Sequence, residues 1–363
     1  MSVALTGGTG FLGLHLLREL LAEHGSLIVL ARGEPAAVLD RVGRFLTVAG
    51  DPPGSAAELA ARVRVVPADV TRPCFGLPAG AFAELAADVD SLWHSAGNTA
   101  QDGSLDQLRR VNVEGTRTAL ELVGAGAPGS MLYHVSTAFV AGRRRYGTVY
   151  DDELSDAYGF ETPYEQSKYE AEVLVQAWAG ERGRSAVIFR PSILTTDLPP
   201  DPCLPPHPLL FAAQALQNLN AAAERAGHRP PGARPAVRIA GHPEAHVNVM
   251  PVADAAAVMR QLARCRPRGQ VDTYHVVHGH ELPVSVFLQA LEAAVPLRFV
   301  LVPEVTDPTP LEGMLQSLSG ALRYAHHRRR YDDARVRMTT SMPPRGPLGL
   351  DYLRAGIRAA HPR

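Results

Sequence analysis

The chain has 363 residues, 46% of them hydrophobic, and its 36 Lys plus Arg against 37 Asp plus Glu give a formal net charge of −1. That length buries a large core, in one large domain or two unequal ones, and the balanced charge excludes a whole-chain attraction to nucleic acid or to an acidic membrane surface. Cys74, Cys203 and Cys265 are widely separated and odd in number, which fits neither a disulfide framework nor a zinc site, so no metal is expected. With no secretory signal and no apolar run long enough for a bilayer, a cytoplasmic protein without a membrane partner is expected.

The first predicted strand, Val3–Thr6, runs into Thr6-Gly7-Gly8-Thr9-Gly10-Phe11-Leu12-Gly13. Gly7 permits a tight turn, Gly10 lets the backbone approach a pyrophosphate, and Gly13 allows close helix–strand packing. A diphosphate would sit at the amino terminus of the next helix, where free N–H groups and the helix dipole favour negative charge. That helix is marked by leucines at 12, 16, 17, 20 and 21. Leu27–Ala31 reads as the second strand. Arg32 follows it, where an NAD site usually places an acidic residue. Its guanidinium suits a 2′-phosphate, with Arg41 or Arg44 as a second contact, so NADP(H) is the expected cofactor.

Val63–Pro67 reads as the third strand, with Asp69 and Val70 beyond its end as expected adenine contacts. Ser91–His94, the fourth, is followed by Ser95, Ala96 and Gly97, small enough to let a cofactor pass; His94 itself reads as a core histidine. A helix is expected over Asn112 to Val123, with Asn112 either orienting the site or tying helix to strand. Met131–Ser136 is the fifth strand. Of the hydroxyls at Ser136 and Thr137, Ser136 is expected to bond the backbone at the strand end and Thr137 the substrate oxygen.

In the helix Tyr164 to Ala179, Tyr164 and Lys168 stand one turn apart on the same face. The lysine charge is expected to lower the phenol pKa towards neutrality, preparing it to exchange a proton with a carbonyl or alcohol oxygen. Lys168 is also expected to hold the nicotinamide ribose. Ala186–Phe189 is the sixth strand, and Arg190, Pro191 and Ser192 at its end complete the expected cofactor set.

The alternation of strands and helices stops there. Prolines at 199, 200, 202, 205, 206 and 208 forbid regular structure and suit a surface loop over a cleft, within a proline-rich stretch that runs to Pro235. A short helix is expected over Leu209 to Arg225. Later strands are expected at Val247–Pro251 and Thr273–Val277, the second rejoining the main sheet, and helices at Pro283–Ala294 and Leu311–His327. The expected fold is α/β, a doubly wound parallel Rossmann sheet with a smaller, partly discontinuous carboxy-terminal substrate domain. Residues 1–195 with about 252–280 would bind NADP, and 196–251 with 281–363 the substrate.

Gly7-x-x-Gly10-x-x-Gly13, Asp69, Asn112, Ser136-Thr137, Tyr164-x-x-x-Lys168 and Arg190-Pro191 occur in one order over about residues 1–280. In this the chain resembles the extended short-chain dehydrogenase/reductase superfamily. Within it, Leu30-Ala31-Arg32-Gly33, Asp69-Val70-Thr71-Arg72-Pro73, Ser136-Thr137-Ala138-Phe139-Val140 and the segment from His246 to Asp254 are similar to thioester reductase domains and fatty acyl-CoA reductases. The resemblance implies NADPH-dependent reduction of an acyl thioester to an aldehyde or alcohol, with Thr137, Tyr164 and Lys168 as the catalytic group. The substrate would be a small molecule or a carrier-bound acyl group, with an acyl carrier protein as partner. The same residues fit a secondary alcohol dehydrogenase or ketoreductase. A nucleotide-sugar epimerase or dehydratase and a non-catalytic NADP sensor are more distant readings. Arg328-Arg329-Arg330-Tyr331-Asp332-Asp333 is either a solvated helix end or a dock for an acidic carrier protein or a pantetheine phosphate.

Overall fold

A computed structural model describes residues 2–51, 56–227, 232, 234–265, 267–318, 320–341 and 346–358. In chain order its strands begin with β1 (Val3–Thr6), β2 (Leu27–Ala31), β3 (Val63–Pro67), β4 (Ser91–His94), β5 (Met131–Val135), β6 (Tyr146–Val149) and β7 (Ala186–Pro191). They continue with β8 (Ile193–Thr195), β9 (Ala236–Ala240), β10 (His246–Val247), β11 (Val249–Pro251) and β12 (Val271–Val276). The last three are β13 (Leu282–Pro283), β14 (Arg298–Val302) and β15 (Arg328–Tyr331).

Seven strands form one sheet in the order β12-β7-β5-β4-β1-β2-β3, and every pairing in it is parallel. β2 and β7 are buried at every residue, as expected of strands covered on both faces. On one face, Leu16, Leu17 and Leu20 of the first helix, Phe11–His24, join Val38 and Val42 and the helix Val252–Ala263. On the other, Leu85 packs with Leu120, Leu122 and Val175. The strand order reverses between β1 and β4, and in such sheets ligands bind at the carboxyl ends of the strands flanking that reversal.

The doubly wound parallel sheet is as expected from the alternating pattern, and β12 rejoins it beside β7 with Tyr274 opposite Phe189. Other boundaries differ. The helix expected over 112–123 is two, Leu105–Asn112 and Glu114–Ala125. The single strand expected at 247–251 is two short ones with different partners, β10 on β13 and β11 on β8. The helix expected over 311–327 is an α-helix, Pro310–Leu318, and a 3-10 segment, Gly320–His326; residue 319 between them lies outside the described residues. So do 228–231 and 233 of the proline-rich stretch. From 198 to 207 that stretch carries no helix or strand. It lies against Phe11, His15 and Phe45, and Asp201 pairs with Arg44 at 2.7 Å.

The later segments gather a second apolar cluster. Leu209, Leu216 and Leu219 of the helix Pro208–Arg225 meet Val237, Ile239, Leu288, Leu291 and Leu353. Phe139, four residues past β5, belongs to this cluster.

Candidate active site

The glycine loop is shaped by close contact. Gly7 has φ +72°, and a Cβ there would lie 2.5 Å from the Ala96 nitrogen. A Cβ on Gly13 would overlap the Gly7 carbonyl oxygen, which accepts the Gly10 N–H at 2.9 Å. Only glycine fits this cradle. Thr9, Phe11 and Leu12 are half-buried along it. Thr6 Oγ1 accepts from the Ala96 N–H at 3.2 Å and lies 2.9 Å from His94 Nδ1, tying the ends of β1 and β4 together. Burial, with the Lys168 charge second, lowers the His94 imidazole to about 3, so it is neutral and structural. Ser95 and Ala96 are half-buried and Gly97 is exposed.

Arg32 and Arg41 are exposed at the rim, and Arg44, also exposed, is paired with Asp201. Asp69 Oδ1 accepts from the Thr71 N–H at 2.9 Å and the Thr71 hydroxyl at 2.8 Å. Burial opposes ionisation there, but these bonds, with Arg32 and Arg72 nearby, hold the carboxyl below its ordinary value. Val70 packs on Gly115. Asn112 is consumed by protein groups: Oδ1 accepts the Asn98 N–H at 2.7 Å, and Nδ2 donates to the Asn98 carbonyl at 3.0 Å and to Ser167 Oγ at 2.9 Å. Its amide ties the loop after β4 to the tyrosine-bearing helix.

That helix, Pro163–Arg182, is capped by Thr162, whose Oγ1 accepts the Glu165 N–H at 3.3 Å, while Glu165 Oε2 accepts the Glu161 N–H at 2.7 Å. The Thr162 cap, with Glu165 bonded back to the residue before it, fixes the first turn and with it Tyr164. The Tyr164 phenol faces Thr137, whose hydroxyl favours its ionisation. Thr137 Oγ1 also accepts the Phe139 N–H at 3.3 Å, capping the 3-10 turn Ala138–Ala141. The hydroxyls divide otherwise than expected at Ser136: its N–H donates to the Phe189 carbonyl at 2.7 Å, but its Oγ is buried without a partner.

The expected electrostatic coupling fails in this geometry. Burial pushes the Tyr164 phenol up to about 12; the Thr137 hydroxyl opposes this and the Glu165 charge adds to it. Lys168 Nζ instead donates to the Val135 carbonyl at 2.8 Å, and burial lowers the ammonium to about 8 against the opposing pull of Glu172. Desolvation of the phenol outweighs any help from the lysine.

At the end of β7, the Arg190 guanidinium is 1% exposed. It donates to Glu172 at 2.7 Å and to the carbonyls of Asp151 and Glu153. It is a buried strut, so this position offers a cofactor backbone and neighbours, not a free guanidinium. Pro191 and Ser192 are buried beside it, with Ser192 Oγ unpaired.

Three side chains that sequence reasoning missed complete the surroundings. Tyr324 Oη donates to Gln101 Oε1 at 3.1 Å, and Thr162 Oγ1 donates to the same oxygen at 3.2 Å. The Tyr324 phenol, held well above its ordinary range by burial and then by the Glu165 charge, packs its ring on Phe139 at 4.6 Å. The Thr162-x-x-Glu165 cap was visible in the sequence. Nothing there signalled Gln101 or Tyr324, which meet across 223 residues.

The site thus gathers a glycine cradle, small residues after β4, and a Thr–Tyr–Lys group at the carboxyl ends of β1, β4 and β5. The family described as male sterility protein, an NAD-binding family, matches residues 5–210. Isonitrile lipopeptide synthase of Streptomyces coeruleorubidus is 34% identical over 195 residues, 52% of this chain and 13% of that protein. The L-2-aminoadipate reductase large subunit of Eremothecium gossypii is 30% identical over 213 residues, 53% of this chain and 15% of that protein. The chain therefore spans a small part of these relatives. The crystal structure of the terminal R domain from the myxalamid PKS-NRPS biosynthetic pathway shares the fold, with TM-score 0.72, 22% identity, and coverage of 98% of this chain and 89% of that one. Matched over more than half of its residues, and with a cradle that admits a dinucleotide, the chain belongs to the NAD-binding male sterility protein family.

Proposed function

We propose that the chain is an NADPH-dependent oxidoreductase of the extended short-chain dehydrogenase type that reduces a carrier-bound acyl thioester to an aldehyde or alcohol in a biosynthetic pathway. The observation that carries the chemistry is the placement of Thr137, just past β5, beside the Tyr164 phenol and next to the glycine cradle. The reductase and synthase names of the relatives support the substrate class. Residues 1–195 with about 252–280 hold the cofactor in this reading, and 196–251 with 281–363 shape the substrate side.

A bound nicotinamide dinucleotide would supply the hydride. Gly7, Gly10 and Gly13 would let its diphosphate approach the first helix. Arg32 and Arg41, both exposed, would take a 2′-phosphate, and Asp69 Oδ2 would accept from adenine. Thr137 and Tyr164 donate to the substrate oxygen as negative charge develops on it, and Tyr164, protonated throughout the neutral range, delivers the proton. Lys168 anchors the ribose side from the Val135 carbonyl. For a thioester the collapse of the tetrahedral adduct expels the thiol, so one hydride and one proton yield aldehyde and free thiol.

The test is NADPH oxidation with acyl-pantetheine thioesters, aldehydes and ketones, with thiol release followed in parallel. Thioester turnover with stoichiometric thiol is expected; turnover confined to ketones or alcohols would replace this reading by an ordinary alcohol dehydrogenase. Tyr164→Phe is expected to lower kcat by about 10²–10⁴-fold while cofactor affinity stays near that of the parent.

A further inference from the structure

Two Arg-Arg-Arg-Tyr segments, residues 143–146 and 328–331, lie far apart in sequence and meet in the fold where Arg328 pairs with Tyr146. β15 pairs in parallel with β6, placing Arg328 opposite Tyr146 and Arg330 opposite Thr148. Strand alternation sorts the second segment. Arg329 and Tyr331 turn inward and are buried, while Arg330 is exposed and Arg328 half-buried. Arg329 is spent internally, donating to the carbonyls of Gly142 and Arg144 and to the Tyr331 hydroxyl. It holds the ribbon in place. On the outer side Arg328 lies over the Tyr146 ring at 4.8 Å, and Tyr146 is 59% and Tyr150 50% exposed.

Charge is divided along the ribbon: Asp151 and Asp152 lie just past β6 and Asp332 and Asp333 just past β15, whereas the opposite end is basic. Glu161, itself buried, is shared at 3.8 Å by Arg143 and at 3.5 Å by Arg145. Glu153 pairs with Arg144, and Glu244 with Arg328 at 3.4 Å. Glu281 lies near Arg330. Arg323, exposed, reaches the Glu161 carbonyl. At the Arg143–Tyr146 end, Arg143, Arg144, Arg145, Arg323 and Arg328 outnumber Glu153, Glu161 and Glu244, and arginine and tyrosine are the types most enriched at the centres of protein interfaces. The ribbon also adjoins the candidate active site. Arg143 follows the 3-10 turn that Thr137 caps, and Glu161 precedes the Thr162 cap of the Tyr164 helix.

We propose that the β6–β15 ribbon is the docking surface for an acidic face of the carrier protein that delivers the acyl thioester to Tyr164. This rests on the thioester-reductase reading above. The occupant is assigned by charge complementarity and by the ribbon's position beside the residues that would receive the thioester; opposite potentials steer such an encounter and act chiefly on kcat/KM.

The experiment compares one acyl group carried on an acidic carrier protein and on free pantetheine, with the parent and with the Arg143→Glu/Arg330→Glu variant. The variant is expected to lose at least about tenfold in kcat/KM on the carrier-bound substrate and to keep the free pantetheine rate within about twofold. Arg143→Lys/Arg330→Lys should retain most of the carrier activity. Should the charge-reversed protein fail to fold, Tyr146→Ala and the salt dependence of the parent supply the same comparison: added salt should slow the carrier-bound reaction and spare the free one. Equal losses on both substrates, or none on either, overturn the docking assignment while leaving the reductase reading intact. A parent that turns over neither thioester overturns both together.

Discussion

Tyr164 and Lys168 show how burial reorders what spacing suggests. One helical turn brings them to the same face, but the phenol is pushed up to about 12 and the ammonium down to about 8. The lysine consequence is measurable as stability. Its pKa is depressed from 10.5 to about 8 in the folded chain, so between those values the unfolded chain binds more protons. Folding stability arising from Lys168 therefore rises with pH across about 8 to 10.5. Denaturation of the parent and of Lys168→Met across this range should show the parent gaining on the variant as pH increases. A constant difference between the two would mean that Lys168 titrates alike in the folded and unfolded chain.

At the scale of the element, the strand–turn–helix from β1 depends on the absence of Cβ atoms at particular places. Gly13 faces the Gly7 carbonyl oxygen, whereas Gly25, at the far end of the same helix with φ +72°, has nothing within 4 Å of a built Cβ. Both positions exclude a side chain in sequence terms, but for different reasons. Gly25→Ala should cost about 1 kcal/mol through backbone conformation alone and leave cofactor affinity unchanged. Gly13→Ala should cost roughly 1–3 kcal/mol by overpacking and weaken cofactor binding at least tenfold, because the loop itself must shift. Urea denaturation and a cofactor titration separate the two; equal cofactor affinities would deny the loop its role. The proline-rich 198–207 segment makes a related point. Its prolines excluded helix and strand, as the sequence indicated, but its attachment to the helix Pro35–Val48 through Asp201 and Arg44 was not legible.

Across the whole molecule, the buried Arg190–Glu172 pair joins the β7 end, the middle of the tyrosine-bearing helix and the carbonyls of Asp151 and Glu153. Glu172→Gln would leave a buried guanidinium without its counter-charge, and about 3–5 kcal/mol of stability should be lost. Arg190→Met/Glu172→Leu, which removes both charges, should be less damaging than the single change. A single variant within about 1 kcal/mol of the parent in urea denaturation would show that the pair is not the strut its geometry implies. The two apolar clusters are also joined at this scale: Phe139 lies just past β5 and packs in the carboxy-terminal cluster, with Tyr324 against its ring. The far half of the chain thus reaches the residues around Thr137 and Tyr164.

The sequence by itself determined the doubly wound sheet, the glycine cradle and the helix that carries Tyr164 and Lys168, because each rests on local periodicity, local turn geometry or spacing within one helix. It also placed β12 beside the main sheet. Tertiary structure alone decided which polar groups are free and which are spent. Arg190 and Arg44 are paired, Asn112 is saturated, and the Arg328–Tyr331 run is a strand with alternate residues buried instead of a solvated helix end. Those outcomes depend on desolvation and on partners far away in the chain, such as Gln101 for Tyr324 and Tyr146 for Arg328. No local pattern encodes them, because the free energy of a charge is set by what surrounds it after folding.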